Sequence, residues 1–190
     1  MNKAKSIVKE KVIYAGKTFE ITKKYFKNEK LSIEFEIARR SPGVRLIIVK
    51  KDKILLTKEF RPELNDYDYR LPGGKVFDSL KEYKTTISKK YNILKYAEEA
   101  AKKECAEETG LIPKRTRLFQ TTKAGLTVEW DLFYFVVDDF DGSVKNQKLE
   151  DDEIIHPVWK TFEETKKMCL NNKVKEDRSV GVILRFLLQK

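Results

Sequence analysis

Three glutamates, Glu104, Glu107 and Glu108, stand at spacings of three and four residues. On a helix such spacings bring side chains onto one face. Carboxylates crowded in this way repel one another unless cations neutralise them, and oxygen-rich carboxylate sites suit Mg²⁺ or Mn²⁺. The same pattern also fits a plain acidic surface, with Lys103 one turn from both Glu99 and Glu107. Two further segments could take part in chemistry. One is the turn Arg70-Leu71-Pro72-Gly73-Gly74, which neither a helix nor a central strand would tolerate. The other is the acidic run Glu150-Asp151-Asp152-Glu153, whose plain alternative is a solvated turn. The single histidine, His156, follows two isoleucines and fits a strand edge or a packed position better than a catalytic one.

The elements that must position these groups can be read from periodicity. Phe19 to Phe26 and Leu31 to Ala38 alternate as a hairpin turned near Asn28-Glu29-Lys30. Val44 to Val49 and Ile54 to Thr57 flank a polar tetrad and form a second hairpin candidate. A helix is surest from Ala97 to Thr109, with Gly110 as its left-handed cap and Pro113 preventing continuation. Leu126 to Val137 reads as one long strand, Ile155 to Trp159 as a short one, and helices follow near Phe162 to Asn171 and Ser179 to Gln189. Strands on both sides of a central helix, plus terminal helices, imply one mixed α/β layered domain. Between Asp78 and Lys95, Leu80, Tyr83, Ile87, Tyr91 and Leu94 recur at helical steps, while five lysines make the segment basic. An amphipathic rim helix whose lysines attract anionic substrate is expected there, against the alternative of a passive insertion.

Composition narrows the setting. A chain of 190 residues with 41% hydrophobic residues suits one globular domain. No apolar run reaches the length of a spanning helix, and the basic start lacks a following apolar stretch, which argues against a signal peptide. Cys105 and Cys169 sit in helix-like segments with no metal-ligand spacing, as small buried hydrophobes would, so a reducing, cytoplasmic setting is expected. The net charge of +10 is spread along the whole chain among acids, so nucleic acid is not the expected partner. Neither is a membrane.

Taken together, Gly74 and the run Lys103-Glu104-Cys105-Ala106-Glu107-Glu108-Thr109-Gly110-Leu111 resemble the Nudix box, G-x5-E-x7-R-E-U-x-E-E-x-G-U with U aliphatic. Lys103 replaces the box arginine and loses its bidentate fork. Lys95 stands where the first box glutamate belongs, and 20 residues rather than five separate it from Gly74, so about 15 are inserted. Glu82 is a candidate for the missing glutamate's place. Lys58-Glu59-Phe60-Arg61-Pro62 and Leu71-Pro72-Gly73-Gly74 further resemble the ADP-ribose pyrophosphatase branch. There Gly73 replaces an alanine whose carbonyl helps hold a metal, and Arg70 replaces a glutamate. Ala124 to Glu129 matches that branch's S-P-G-x-S/T-x-E stretch without its proline, a mark of ADP-ribose preference.

The resemblance implies an α/β (α+β) fold: a Nudix-type α/β/α sandwich with a mixed sheet and an N-terminal antiparallel sheet. One domain over 1–190 would carry a hairpin region at about 1–40 and the insertion at about 78–95. It implies Mg²⁺-dependent hydrolysis, with Mn²⁺ as a substitute, of a nucleoside diphosphate linked to another group. ADP-ribose or an ADP-sugar would give AMP and a sugar phosphate. Glu104, Glu107, Glu108 and the Gly73 carbonyl are the implied metal ligands. The catalytic candidates are Glu150, Glu107 and Glu153, with Glu150 at the base position when Ile154 is aligned with the apolar residue after the branch's loop. Arg61, Glu129 and Gly125 are the substrate candidates; Arg61 could instead form a surface ion pair. A homodimer paired through the N-terminal hairpin is also implied. Two alternatives stay open. One is a Nudix enzyme for nucleotide sugars, dinucleoside polyphosphates or capped RNA, and the other a non-catalytic domain that senses a nucleotide.

Overall fold

The computed structural model describes residues 7–27, 32–149 and 154–190. Its centre is a sheet of β4 (Gly43–Lys50), β5 (Lys53–Arg61), β6 (Asp66–Arg70), β8 (Arg117–Thr122), β10 (Leu132–Val137) and β12 (Ile155–Thr161). The path runs β12-β5-β4-β10-β8, and β6 pairs with β5. The sheet is mixed, since β10 runs parallel to β4 while the other pairs are antiparallel.

Side chains alternate across this sheet, and both faces are covered, which explains the near-continuous apolar run of β4. Val44, Leu46 and Ile48 meet Ala97, Ala101 and Cys105 of α2 (Ile93–Thr109). Ile47 and Val49 face the layer of α3 (Phe162–Leu170) and α4 (Asp177–Leu187), with Cys169, Val182, Ile183 and Phe186. The arrangement is an α/β/α sandwich, as expected. Small residues on α2 let the helix lie close to the sheet. Its last turn therefore sits beside the Gly73–Gly74 turn, where Val44 N–H donates to Gly74 O and Leu46 N–H to Pro72 O, each at 2.9 Å.

A second sheet, in the order β1-β2-β3-β9, precedes the sandwich. Strands β2 (Phe19–Lys27) and β3 (Ser32–Arg40) pair antiparallel, as the alternation predicts; the anticipated turn at 28–30 lies outside the described residues. The added outer strand β1 (Ile7–Ala15) carries Lys9, Glu10 and Lys11 at its centre, which hides its strand character. The long strand expected over Leu126 to Val137 divides. Val128–Glu129 forms β9 beside β3, and Leu132–Val137 forms β10 in the central sheet, so the chain changes sheets at Trp130-Asp131. A two-stranded ribbon of β7 (Leu111–Pro113) and β11 (Phe140–Gly142) completes the strands described.

The insertion folds differently from expectation in one respect. Helix α1 spans Leu80–Ser88, capped by Ser79, whose hydroxyl accepts from Glu82 N–H at 3.2 Å. Leu80 is buried, and Phe77 packs at a tilt against the rings of Tyr83 and Tyr96. The helix then stops: Lys90 takes a positive φ of 56°, and Asn92 caps α2 by accepting from Leu94 N–H. Tyr91 and Leu94 are consequently exposed rather than packed along a continued stripe.

Candidate active site

The last two turns of α2 present Glu104, Glu107 and Glu108 to the Gly73–Gly74 turn across a cavity of about 440 Å³. Glycine is required at position 73, and at position 74 it leaves room for a carboxylate. Gly73 has φ +143°, and a Cβ there would lie 2.2 Å from Val44 O. At Gly74 a Cβ would fall 2.1 Å from Glu104 Oε1, so the bare backbone is what lets this carboxylate lie against the turn. Gly73 N–H donates to Glu108 Oε2 at 2.8 Å, and Glu108 is only 9% exposed. Lys103 approaches Glu107 at 3.6 Å, the i,i+4 pairing anticipated from the spacing.

The cavity is acidic inside a basic protein. Among the described residues, its walls hold seven carboxylates (Glu59, Asp78, Glu82 and four of α2: Glu99, Glu104, Glu107 and Glu108) against four cations, Arg61, Lys75, Lys103 and Lys148. A chain of net charge +10 thus concentrates an acidic surplus at one place. The hard oxygen donors fit a divalent ion such as Mg²⁺ or Mn²⁺. Among the described residues, however, no three His, Cys, Asp or Glu side chains are gathered as a metal-holding group. Glu108 instead turns to the Gly73 N–H.

The other expected residues are distributed as follows. Arg61 lines the cavity, held by Glu59, a neighbour on the same face of β5, at 2.5 Å, while its buried Nε has no hydrogen-bond partner among the described residues. Strand alternation, which puts residues two apart on one face, is the signal that pairs Glu59 with Arg61. Glu129 lies outside the cavity, bonded to Lys24 and to Arg39, the latter at 2.6 Å. Burial pushes its carboxyl up, yet those two cations hold it below the ordinary carboxylate range. Gly125 also lies outside it, at φ +141° in the loop that carries the 94% exposed Leu126. Glu150 and Glu153 lie outside the described residues. His156 is exposed on β12, an edge strand, in keeping with the strand-edge reading.

The basic rim expected of the insertion is not what the cavity meets. Asp78 and Glu82 line it, whereas Lys81, Lys84, Lys89, Lys90 and Lys95 do not. The amphipathic turn of α1 points Lys84 to the N-terminal sheet, where it bonds Glu20 at 2.9 Å. Glu82, the candidate for the missing box glutamate's place, thus lines the site. Two residues that spacing could not reveal, Gln147 and Lys148, tie the chain to the end of α2. Gln147 Nε2 donates to Glu108 O at 2.5 Å and to Ile155 O at 3.2 Å, and Lys148 N–H donates to Glu107 O at 2.9 Å.

A family model of the NUDIX domain matches residues 39–180, from the end of β3 into α4. The chain belongs to the NUDIX family. It is a Nudix pyrophosphohydrolase, and members of this family generally use divalent metal ions. Helix α2 and the glycine turn that Glu108 bonds, which carry the residues resembling the Nudix box, both lie within the matched span. A solved structure described as an ADP compounds hydrolase is similar to this chain, with a TM-score of 0.72. The match covers 98% of this chain and 93% of that one at 14% identity, a likeness of fold. No curated protein sequence matches the chain. Among the described residues no helix is long and apolar enough to cross a membrane.

Proposed function

We propose that this Nudix hydrolase cleaves, with Mg²⁺, the diphosphate of a nucleoside diphosphate linked to another group, and that ADP-ribose or an ADP-sugar is its best substrate. The observation that carries this reading is the acidic surplus at the Gly73–Gly74 turn. A diphosphate is itself anionic and would be repelled from those walls unless cations accompanied it. Glu104, Glu107, Glu108 and the Gly73 carbonyl would hold Mg²⁺, or Mn²⁺ in its place. When bound, the ion neutralises diphosphate oxygens and eases proton loss from water. Arg61, oriented by Glu59, donates to a phosphate oxygen through its guanidinium. Glu150 takes the proton from the attacking water, with Glu153 and Glu107 as the other carboxylates suited to that task. The likeness to an ADP compounds hydrolase favours an adenosine substrate.

In this reading residues 1–190 act as one domain, and the protein is a cytoplasmic homodimer. Both cysteines are free and buried, and burial pushes each thiol up to about 11, so neither is poised for oxidation. The N-terminal sheet exposes Tyr14, Phe19 and Phe35, apolar surface that a second copy would cover. Glu129 holds β9 to that sheet and, with Gly125, bears on substrate only from outside the cavity. The test is a panel of ADP-ribose, ADP-sugars, other nucleotide sugars, dinucleoside polyphosphates and capped RNA, assayed with and without Mg²⁺. ADP-ribose or an ADP-sugar should lead. Preference for a polyphosphate or cap, with ADP-ribose inert, would transfer the enzyme to another branch. A panel inert throughout would leave a nucleotide-sensing domain.

A further inference from the structure

One charge interrupts the apolar run of β4. Arg45, between Val44 and Leu46, is only 7% exposed and points to the face of the sheet opposite α2. There Nε and Nη2 grip the Glu176 carboxylate at 2.9 and 3.1 Å, and Ser179 Oγ donates to the same carboxylate at 2.5 Å. Glu176 occupies the N-cap position of α4, yet its side chain makes no cap bond and serves Arg45 instead. On the neighbouring strand, Tyr134 pairs with Arg45 in register, and its hydroxyl lies 3.3 Å from Ser179 Oγ. The remaining nitrogen, Nη1, returns through the sheet edge and donates to Val44 O at 3.0 Å and Gly73 O at 3.3 Å.

The Gly73 residue is therefore held at both of its polar groups. Its carbonyl accepts from Arg45, which comes from the face opposite α2, and its N–H donates to Glu108 of α2. A carbonyl has two lone pairs, so this bond fixes its direction and leaves acceptor capacity. Burying an ion pair rarely adds net stability, because desolvation offsets the attraction and an apolar pair often does as well. What an apolar pair could not do is donate to Gly73.

We propose that Arg45 is a positioning residue for the hydrolysis, orienting the Gly73 peptide so that the glycine turn, Glu108 and Glu104 keep their mutual geometry. Glu176 and Ser179 are its supports. The proposal rests on the hydrolase reading above, and the test separates the two. Arg45→Met combined with Glu176→Met removes both buried charges, so no uncompensated charge remains and the protein should fold. Its kcat on the leading panel substrate should fall about tenfold or more with KM within about threefold, as expected when geometry rather than binding is lost. Its Mn²⁺ dissociation constant, measured by calorimetry without substrate, should rise about fivefold. Arg45→Lys keeps a charge for Glu176 but lacks the fork that serves Glu176 and Gly73 together, so it should show the same direction of change. If the double variant does not fold, Arg45→Lys decides by the same readouts. A lowered Tm with unchanged kcat and Mn²⁺ affinity would make Arg45 an anchor for α4 and overturn the proposal. Should the wild type cleave nothing in the panel, the hydrolase reading fails, and Mn²⁺ affinity alone decides the role of Arg45.

Discussion

On one face of the N-terminal sheet, Lys24, Arg39 and Lys84 stand against Glu10, Glu20 and Glu129, cation for anion, with contacts such as Arg39–Glu10 at 2.7 Å and Arg39–Glu20 at 2.9 Å. Burial opposes the Arg39 charge, but Glu10 and Glu129 hold its pKa well above the ordinary value. Along the cavity, by contrast, seven carboxylates face four cations among the described residues. Both regions crowd acids, and only one balances them internally. A balanced cluster fixes strands to one another and the insertion helix to the sheet. An unbalanced one keeps electrostatic work in reserve for a cation and the anion that accompanies it.

The largest effect should follow from disturbing the unbalanced side. Glu108→Gln should lower kcat about 100-fold, on the order of 3 kcal/mol, with the fold retained because like-charge repulsion is relieved. Near-wild-type turnover, measured beside a circular dichroism melt, would refute the metal assignment of α2. Gly74→Ala places a methyl against a carboxylate that can swing away, so kcat should drop about tenfold while Tm moves little. Gly73→Ala meets backbone at a positive φ instead, and should cost about 1–3 kcal/mol of stability. The two neighbouring glycines thus separate site from fold.

Breaking the balanced side should do the reverse. Glu20 is 2% exposed and joins Arg39 to Lys84. Glu20→Gln should destabilise by about 1–3 kcal/mol in a thermal melt while leaving kcat within about twofold. A large fall in kcat would show that the sheet and cavity are coupled through the insertion helix. A smaller effect is expected from acid. Glu10, Glu129 and Glu176 all have folded pKa values below the ordinary carboxylate value of 4.5, held there by Arg39, Lys24 and Arg45. Their contribution to stability is complete above that value and is lost as pH falls through the lower folded values. Tm should therefore be insensitive to these groups from pH 7 to about 5 and fall below about 4.5. The Arg45→Met, Glu176→Met variant should lose less over that acidic range.

How much of this was legible in the sequence depends on the range of the interactions. Glu104, Glu107 and Glu108 could be placed because helical spacing and the Gly110 cap are local signals, and α2 ends at Thr109 as expected. Helix α2 begins at Ile93, ahead of the stretch that is surest from sequence, because its cap Asn92 lies within a lysine-rich stretch that looks solvated. Strands β6 and β8 lie at sheet edges, where a short sequence such as Asp66-Tyr67-Asp68-Tyr69-Arg70 buries a charge, Asp68, and exposes Tyr67, so its alternation does not mark an apolar face. The lysines of the insertion were read as a rim, but the sense in which α1 turns, set by Leu80 and Phe77 packing, sends Glu82 rather than Lys84 to the cavity. Arg45 was invisible as a candidate because its partners, Glu176 and Gly73, are distant in sequence.

The measurement that bears most directly on the contrast between the two acidic regions is Mn²⁺ binding by calorimetry without substrate. It would compare the wild type, a Glu104→Gln, Glu108→Gln double variant, and Glu20→Gln. The cavity variant should lose Mn²⁺ affinity by about 100-fold or more, while Glu20→Gln binds as the wild type does. Equal affinity in all three, or a loss confined to Glu20→Gln, would contradict the assignment of the cavity as the cation site.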